Sequence, residues 1–433
     1  MEQVLSSENS IQMYTGDWQA VQAGHLLKRT LFGATSSDIG YFQRMRMTDA
    51  VEEILRPSPA PATTPLDNYS GSWATWTDAD GAINAPDGVA HNISRVNSLQ
   101  CWWIGQLLNQ GRSIHEKMTL FWHNHFSVDA SGHFASIGAR LWYDQYLTLR
   151  QHSLSGFRGL LKAMLTDPAL LLFHRSSAEE AGSFYREDGV AEAEGLALEL
   201  LEGYLFGRNP FPGFTKGDIA AIARILSGHT VDESGKYIFD ATIHDMGDKR
   251  FSSFFGSKVI RGESGEAGAS ELDALLDMLL ETRSVALFIC RKLYRFFVDY
   301  RLEEEIELSV IQPLADIFMD SGYEMTAVLG ALLRSNHFYE LARSGAYVLK
   351  SPLDFLIGIC REYDLSAHIG GTAAQYQNWS MLLERSQTME KEILEMPVID
   401  PGAYKEHPAY QPYRQVILTG PINRTREYHS KVS

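Results

Sequence analysis

The stretch that decides the fold is "SRVNSLQCWWIGQLLNQGRSIHEKMTLFWHNHF", residues 94–126. In both of its parts, residues 94–110 and 113–126, apolar side chains recur at the spacing of an amphipathic helix. The polar connection between the two parts is short, which is typical of antiparallel helix neighbours. We therefore predict two helices packed side by side, with the histidines of "FWHNHF" at the end of the second.

The same periodicity continues on both sides of this pair, from about residue 20 to residue 363. Residues 230–260 differ, because apolar residues alternate there around "HDMGDK", which indicates a β-hairpin or small meander. The predicted fold class is mainly α. We expect a large multi-helix domain, residues 1–365, that carries one small β insertion.

Two further segments depart from the helical pattern. Residues 57–93 are rich in Pro, Gly, Ser and Asp, and we predict a loop insertion there. Its "DADG" run does not keep the ligand spacing of a calcium loop. Residues 366–433 have weaker helix signals and several tyrosines, so we predict a C-terminal arm that extends over the helical domain and packs by its aromatic side chains.

Composition and charge exclude some classes of function. The 54 acidic residues exceed the 38 basic ones and give a net charge of −16, so the phosphate backbone of a nucleic acid would be repelled. No run approaches the roughly 20 apolar residues that cross a bilayer. The N-terminus lacks the pattern of a secretory signal. We expect a cytoplasmic protein on the sequence as given, and a periplasmic or envelope protein if a leader has been removed.

Seven motifs occur in the order of a known family. They are "HLLKRTLFGAT", "EKMTLFWHNHF", "ELLEGYLFG", "IHDMGDKRFSSFFG", "ICRKLYRFFV", "SNHFYE" and "KSPLDFLIG". Together they resemble the bacterial family known as the domain of unknown function 1800, over nearly the whole chain. The resemblance implies a mainly helical protein, in a family of which many members are exported. It implies no settled activity.

One helix departs from the family pattern. Where family members carry an ARELLEL-type helix preceded by asparagine, this chain reads "AEGLALELLEG", with Gly195 for the asparagine and Leu198 for the arginine. Glu199 and Glu202 remain. His229 replaces the tryptophan that follows "LTG" in the family. If the helix carries family chemistry, these changes imply that this chain has lost or altered it.

His123 and His125 are the candidate metal ligands. Residues two apart on a helix diverge by about 200°, so both rings can face one metal only if the helix ends at about Asn124. The turn-forming residues that follow allow such an end, and Asn124 and Asp129 could then orient the rings. The alternative is structural: one histidine bonds a helix-end carbonyl while the other packs against Trp122 or Trp103.

"HDMGDK" is the second candidate centre. Asp245, Asp248 and Lys249, with His244, could supply a general base and an electrostatic clamp if a hairpin tip folds over a pocket. The alternative is a β-turn in which Asp and Gly serve the backbone geometry and Lys249 is solvated.

Carboxylates and arginines form a third candidate centre. Glu199 and Glu202 lie three apart on one helical face and could act as a carboxylate pair. Arg291 and Arg295, four apart on a later helix, could bind an anionic substrate. The alternative is that the two glutamates are solvated, or that Arg291, Lys292 and Arg295 neutralise them.

Two classes of function follow from these centres. The first is a metal-assisted hydrolase-like enzyme that gathers His123, His125 and Asp245, with Glu199 or His244 completing the site. Its divalent metal (Zn, Mn or Fe) would lower the pKa of a bound water; the small-molecule substrate is unknown. The second is a non-catalytic helical scaffold or binding module with structural histidines, acting with a protein of the cell envelope.

Overall fold

Helices form most of the described chain, and the predicted mainly α fold class is confirmed. The structure is a computed structural model. It describes residues 10–67, 74–75, 88–126, 128, 137–180, 189–208, 213–299, 301–344, 350–365, 372–389 and 393.

The first half of the described chain contains eight α-helices and one strand pair. The helices are α1 Ala20–Thr30, α2 Ser36–Phe42, α3 Met47–Ile54, α4 Gly88–Leu108, α5 His115–His125, α6 Ala139–His152, α7 Phe157–Leu165 and α8 Pro168–Glu180. The strands β1, Leu66–Asp67, and β2, Ala74–Thr75, pair antiparallel. Helix α4 begins at Gly88, so the last residues of the predicted loop 57–93 are helical, which corrects the C-terminal end of that loop. "DADG" lies outside the described residues.

The second half begins with α9, Gly189–Glu199, which continues as a π-helix over Leu200–Leu205. The helices that follow are α10 Lys216–Leu226, α11 Glu271–Leu280, α12 Arg283–Phe297, α13 Glu304–Ile306, α14 Gln312–Asp320, α15 Met325–Leu333, α16 Asn336–Ser344, α17 Pro352–Glu362 and α18 Thr372–Met389. A second π-helical segment, Glu307–Ile311, joins α13 to α14. Short 3-10 turns cover Ser253–Phe255 and Gly265–Ser270.

Side-chain caps explain where two of these helices begin. Thr215 precedes α10, and its side chain accepts a hydrogen bond from the backbone of Asp218, whose carboxylate bonds the Thr215 backbone in return. Ser351 caps α17 in a similar way, with Pro352 at the first helical position. Such caps satisfy backbone N–H groups that have no partner within the helix.

The predicted β insertion consists of two separate antiparallel hairpins. Strand β3, His229–Val231, pairs with β4, Tyr237–Phe239. Strand β5, Lys249–Arg250, pairs with β6, Val259–Ile260. The "HDMGDK" segment connects β4 to β5, so it is not a hairpin tip, and this part of the prediction is wrong.

Gly228 lets the β3–β4 hairpin fold closely over this connection. Its φ is +92°, and a Cβ there would lie 3.0 Å from both the Asp240 carbonyl oxygen and the His244 Cβ. We expect Gly228→Ala to lower the free energy of unfolding by about 1–3 kcal/mol, measured by urea denaturation. In the matched control Gly195→Ala, the new Cβ meets no described atom within 4 Å, and the gain in helix propensity should raise stability slightly. Equal effects of the two substitutions would contradict this account.

Part of the predicted extended arm, residues 366–433, is instead a helix, α18, which is a correction. It packs on α4, where the ring of Trp379 covers Gly105, and the hydroxyl of Tyr376 accepts a hydrogen bond from the Leu66 backbone. Tyr376, Trp379 and Leu383 recur at helical spacing, which is a signal that we did not weigh. Apart from Ile393, the arm beyond α18 lies outside the described residues, and the boundary at residue 365 stays a prediction.

Candidate functional site

Helix α5 runs through the interior and is buried on all sides. Of its eleven residues, Asn124 alone is not fully buried. The helix nonetheless carries ionisable side chains: His115, Glu116, Lys117, His123 and His125. A helix that is apolar all round is the expected form in such a place. The polar groups of α5 therefore need partners inside the protein.

His125 lies in a cage of aromatic side chains. Its ring centroid lies between 4.7 and 6.4 Å from those of Phe121, Trp122, Phe126, Phe157, Tyr204 and Phe288. Neither ring nitrogen makes a hydrogen bond of normal geometry to a described residue. Burial and the nearby charge of Lys292 hold the pKa of His125 well below its usual range, although the Tyr204 backbone partly offsets this. His125 is thus neutral near pH 7.

His123 points elsewhere. It is buried against the edge of Trp103, with 5.0 Å between ring centroids, and burial lowers its pKa to about 4. Helix α5 does not end at Asn124 but includes both histidines. A shared metal site would require the helix to end at about Asn124, and the helix does not end there.

The charged groups at the start of α5 are paired, and sequence reasoning missed them. Glu116 accepts hydrogen bonds from Arg150 at 2.7 Å and from the hydroxyl of Tyr146 at 3.0 Å. Lys117 lies 3.0 Å from Asp354 of α17. The signal was present in "HEK", where charged residues open a helix that is otherwise strongly apolar.

A second buried network surrounds His244. Its Nδ1 lies 2.7 Å from the Ser227 carbonyl oxygen and its Nε2 lies 3.2 Å from Glu271 Oε1. The other carboxylate oxygen of Glu271 is 2.5 Å from Lys249 Nζ, an ion pair whose side chains are at most 1% exposed. Glu271 Oε1 also accepts a hydrogen bond from the Glu263 backbone at 2.7 Å. Glu271 thus joins His244 to Lys249.

Lys249 is therefore neither solvated nor at a hairpin tip. Asp245 contacts Arg224 at 2.6 Å, and this guanidinium holds the pKa of the Asp245 carboxyl below its ordinary value. Asp248 receives a hydrogen bond from the Gly262 backbone. No sequence pattern marked Glu271, because it opens α11, about twenty residues beyond "HDMGDK".

The predicted carboxylate and arginine sites use other partners. Glu199 lies 3.1 Å from Arg208, and Arg291 forms a two-contact ion pair with Glu307 at the second π-helix. The alternative in which Arg291 neutralises Glu199 is therefore not the arrangement in the structure. Arg295 is half-buried one turn further along α12. Within the described ranges, no three His, Cys, Asp or Glu side chains form a group that could hold a metal ion.

These features define a mainly helical protein whose candidate histidines are packed into its core. In the part of the chain that the structure describes, no helix has the length and apolar character needed to cross a membrane. The chain belongs to the family described as "Protein of unknown function (DUF1800)", whose model matches residues 25–419. No curated protein and no solved structure matches the chain.

Proposed function

We propose that this chain is a non-catalytic helical binding protein in which His123 and His125 are structural. The cage around His125 carries the proposal. An imidazole that binds a metal or moves a proton directs one ring nitrogen at its target and holds the other with a hydrogen bond. His125 instead presents its ring to six aromatic side chains.

The contacts of the predicted acid–base groups also support the proposal. Asp245 is held by Arg224, and Lys249 is held by Glu271. The Lys249–Glu271 pair is fully buried, and withdrawing Lys249 toward a substrate would leave the Glu271 carboxylate without its cation in the interior. Groups arranged in this way stabilise a fold more readily than they turn over a substrate.

Metal content distinguishes this proposal from the metal-assisted hydrolase. We expect the purified full chain, incubated with Zn²⁺, Mn²⁺ or Fe²⁺ and then desalted, to retain no stoichiometric metal by elemental analysis. One equivalent of metal per chain, lost on His123→Leu or His125→Phe, would overturn the proposal. The envelope partner stays a prediction from the sequence.

Substitution of His125 tests its structural role directly. His125→Ala would leave a cavity among the rings, and we expect a loss of about 3–5 kcal/mol in the free energy of unfolding. His125→Phe keeps an aromatic ring and removes only nitrogens that make no hydrogen bond of normal geometry to a described residue, so we expect a change of less than about 1.5 kcal/mol. Both are measured by chemical denaturation at pH 7.5. A loss with Phe as large as that with Ala would show that the nitrogens matter.

A further inference from the structure

A small cleft lies between α8, α9 and the start of β3. Its volume is about 30 Å³, room for two or three water-sized groups. Apolar residues such as Leu171 and Leu196 form part of its wall. The polar part consists of His174, Arg175 and His229. None of the predicted site residues lines it.

His229 supplies the clearest sign of a ligand. The residue is only 7% exposed. Its Nδ1 lies 2.7 Å from the hydroxyl oxygen of Tyr237, and the two rings stack. Its Nε2 is buried and has no hydrogen-bond partner among the described residues. A buried polar atom without a partner is unfavourable, and a bound acceptor or donor would satisfy it.

The neighbours of His229 decide which kind of ligand fits. Burial, together with His244 and Lys162, lowers the pKa of His229 to about 4, so the ring is neutral near pH 7. When the Tyr237 hydroxyl donates to Nδ1, the neutral ring carries its proton on Nε2 and becomes a donor. Arg175 donates a hydrogen bond to the Thr230 hydroxyl. This contact places the permanently charged guanidinium of Arg175 at the same cleft.

We propose that this cleft binds an oxyanion group, a carboxylate or a phosphate, between Arg175 and His229. The described lining residues include no carboxylate. Charge-assisted hydrogen bonds from a guanidinium are strong and suit both anions. The cleft is too small for a whole metabolite, so it holds the charged end of a larger ligand. The inference rests on the proposed function, because it names what a binding protein of this kind would hold.

The test uses inorganic phosphate and acetate as probes on the full chain. Each is titrated at pH 7.5 and constant ionic strength while the side-chain ¹⁵N resonances of His229 are followed by NMR. We expect saturable shifts with at least one probe and an Nε2–H resonance in the bound form. Phosphate alone would indicate a phosphorylated ligand, and acetate alone a carboxylate.

Matched variants connect binding to the two residues. We expect Arg175→Gln and His229→Phe each to weaken binding about tenfold or more, and His229→Phe keeps the ring that stacks on Tyr237. The binding of Arg175→Gln is followed on the unchanged His229, and that of His229→Phe by calorimetry. Arg140→Gln, which removes an arginine paired with Asp144 on α6, should leave the affinity unchanged.

Several results would overturn the inference. They are a failure of both probes to saturate, an equal shift of His229 by chloride at the same ionic strength, and binding by both folded variants that is as tight as that of the wild type. His125→Phe should bind the probes normally. If the cleft binds no anion while His125→Phe stays stable and metal-free, this inference fails and the proposed function stands. If the α5 histidines bind stoichiometric metal while the cleft still binds an anion, the proposed function fails and the assignment of the cleft stands.

Discussion

Lowering the pH from 6.5 to about 4 is expected to unfold this protein, through histidines that the folded chain keeps neutral. Burial lowers the pKa of five of them to about 4: His25, His123, His174, His229 and His337. In the unfolded chain their pKa returns to about 6.5. The unfolded state therefore binds more protons in this window, and stability falls as the pH falls.

The size of the effect follows from the same difference. Each such histidine removes about 1.4 kcal/mol per pH unit below pH 6.5. Asp167 acts in the opposite direction, because burial raises the pKa of its carboxyl to about 7 and the folded state then holds the extra proton. The histidines outnumber it, so a net loss of several kcal/mol per unit remains. Since whole domains are stable by about 5–15 kcal/mol, unfolding near pH 5 is expected.

Urea denaturation between pH 7.5 and pH 5.5 at constant ionic strength measures this slope. His123→Leu should reduce the slope by about one proton, because its ring no longer titrates in the unfolded chain. A free energy of unfolding that stays constant down to pH 5.5 would show that the buried histidines do not dominate the acid response.

Removing the carboxylate of Glu271 is the second change with a large expected effect. Glu271→Leu removes the nearer of the two carboxylates that face buried Lys249 and leaves only that of Asp245, 4.0 Å away; it also frees the Glu263 backbone N–H and His244. Breaking a buried pair by removing one partner typically costs about 3–5 kcal/mol. We expect a loss of that size in the free energy of unfolding at pH 7.5. Lys249→Met should cost less, because His244 still faces the carboxylate.

The double variant Lys249→Met/Glu271→Leu separates charge from packing. Apolar side chains of similar size replace buried ion pairs with little loss, so the double variant should be more stable than Glu271→Leu alone. Lys258→Met provides the matched control, because it removes a lysine from a Lys–Glu pair with Glu281 whose side chains are 42% and 63% exposed. Such pairs contribute about 0–1 kcal/mol. Additive losses at Lys249 and Glu271 would argue against a coupled buried pair.

Much of the fold could be predicted because helices are encoded locally. The apolar repeat of "CWWIGQLL" and the break at Gly111 lie within a few residues of each other, and they predict α4, α5 and the turn between them. The C-terminal arm was mistaken over α18 because its polar residues outweighed the repeat of Tyr376, Trp379 and Leu383. The place of "HDMGDK" between two hairpins could not be predicted, because alternating apolar residues do not show which residues form the turns of a hairpin.

The candidate site was harder to predict because its contacts join distant parts of the chain. Chemical type alone identified His244 and Lys249 as notable, but their shared partner is Glu271. Helical geometry predicted that His123 and His125 diverge if the helix continues past Asn124, whereas the aromatic cage needs rings from α7, the first π-helix and α12. No local pattern brings Arg175 to His229.

The ion pair between Lys117 and Asp354 has a consequence for how the chain is made. Its two residues are 237 positions apart. While a ribosome is still synthesising the chain before Asp354, the ammonium of Lys117 lacks its carboxylate, and burying it unpaired is unfavourable by several kcal/mol. We expect helix α5 to form early and to settle stably into the interior only once α17 has emerged. The N-terminal half would then be exposed to chaperones and proteases for most of its synthesis.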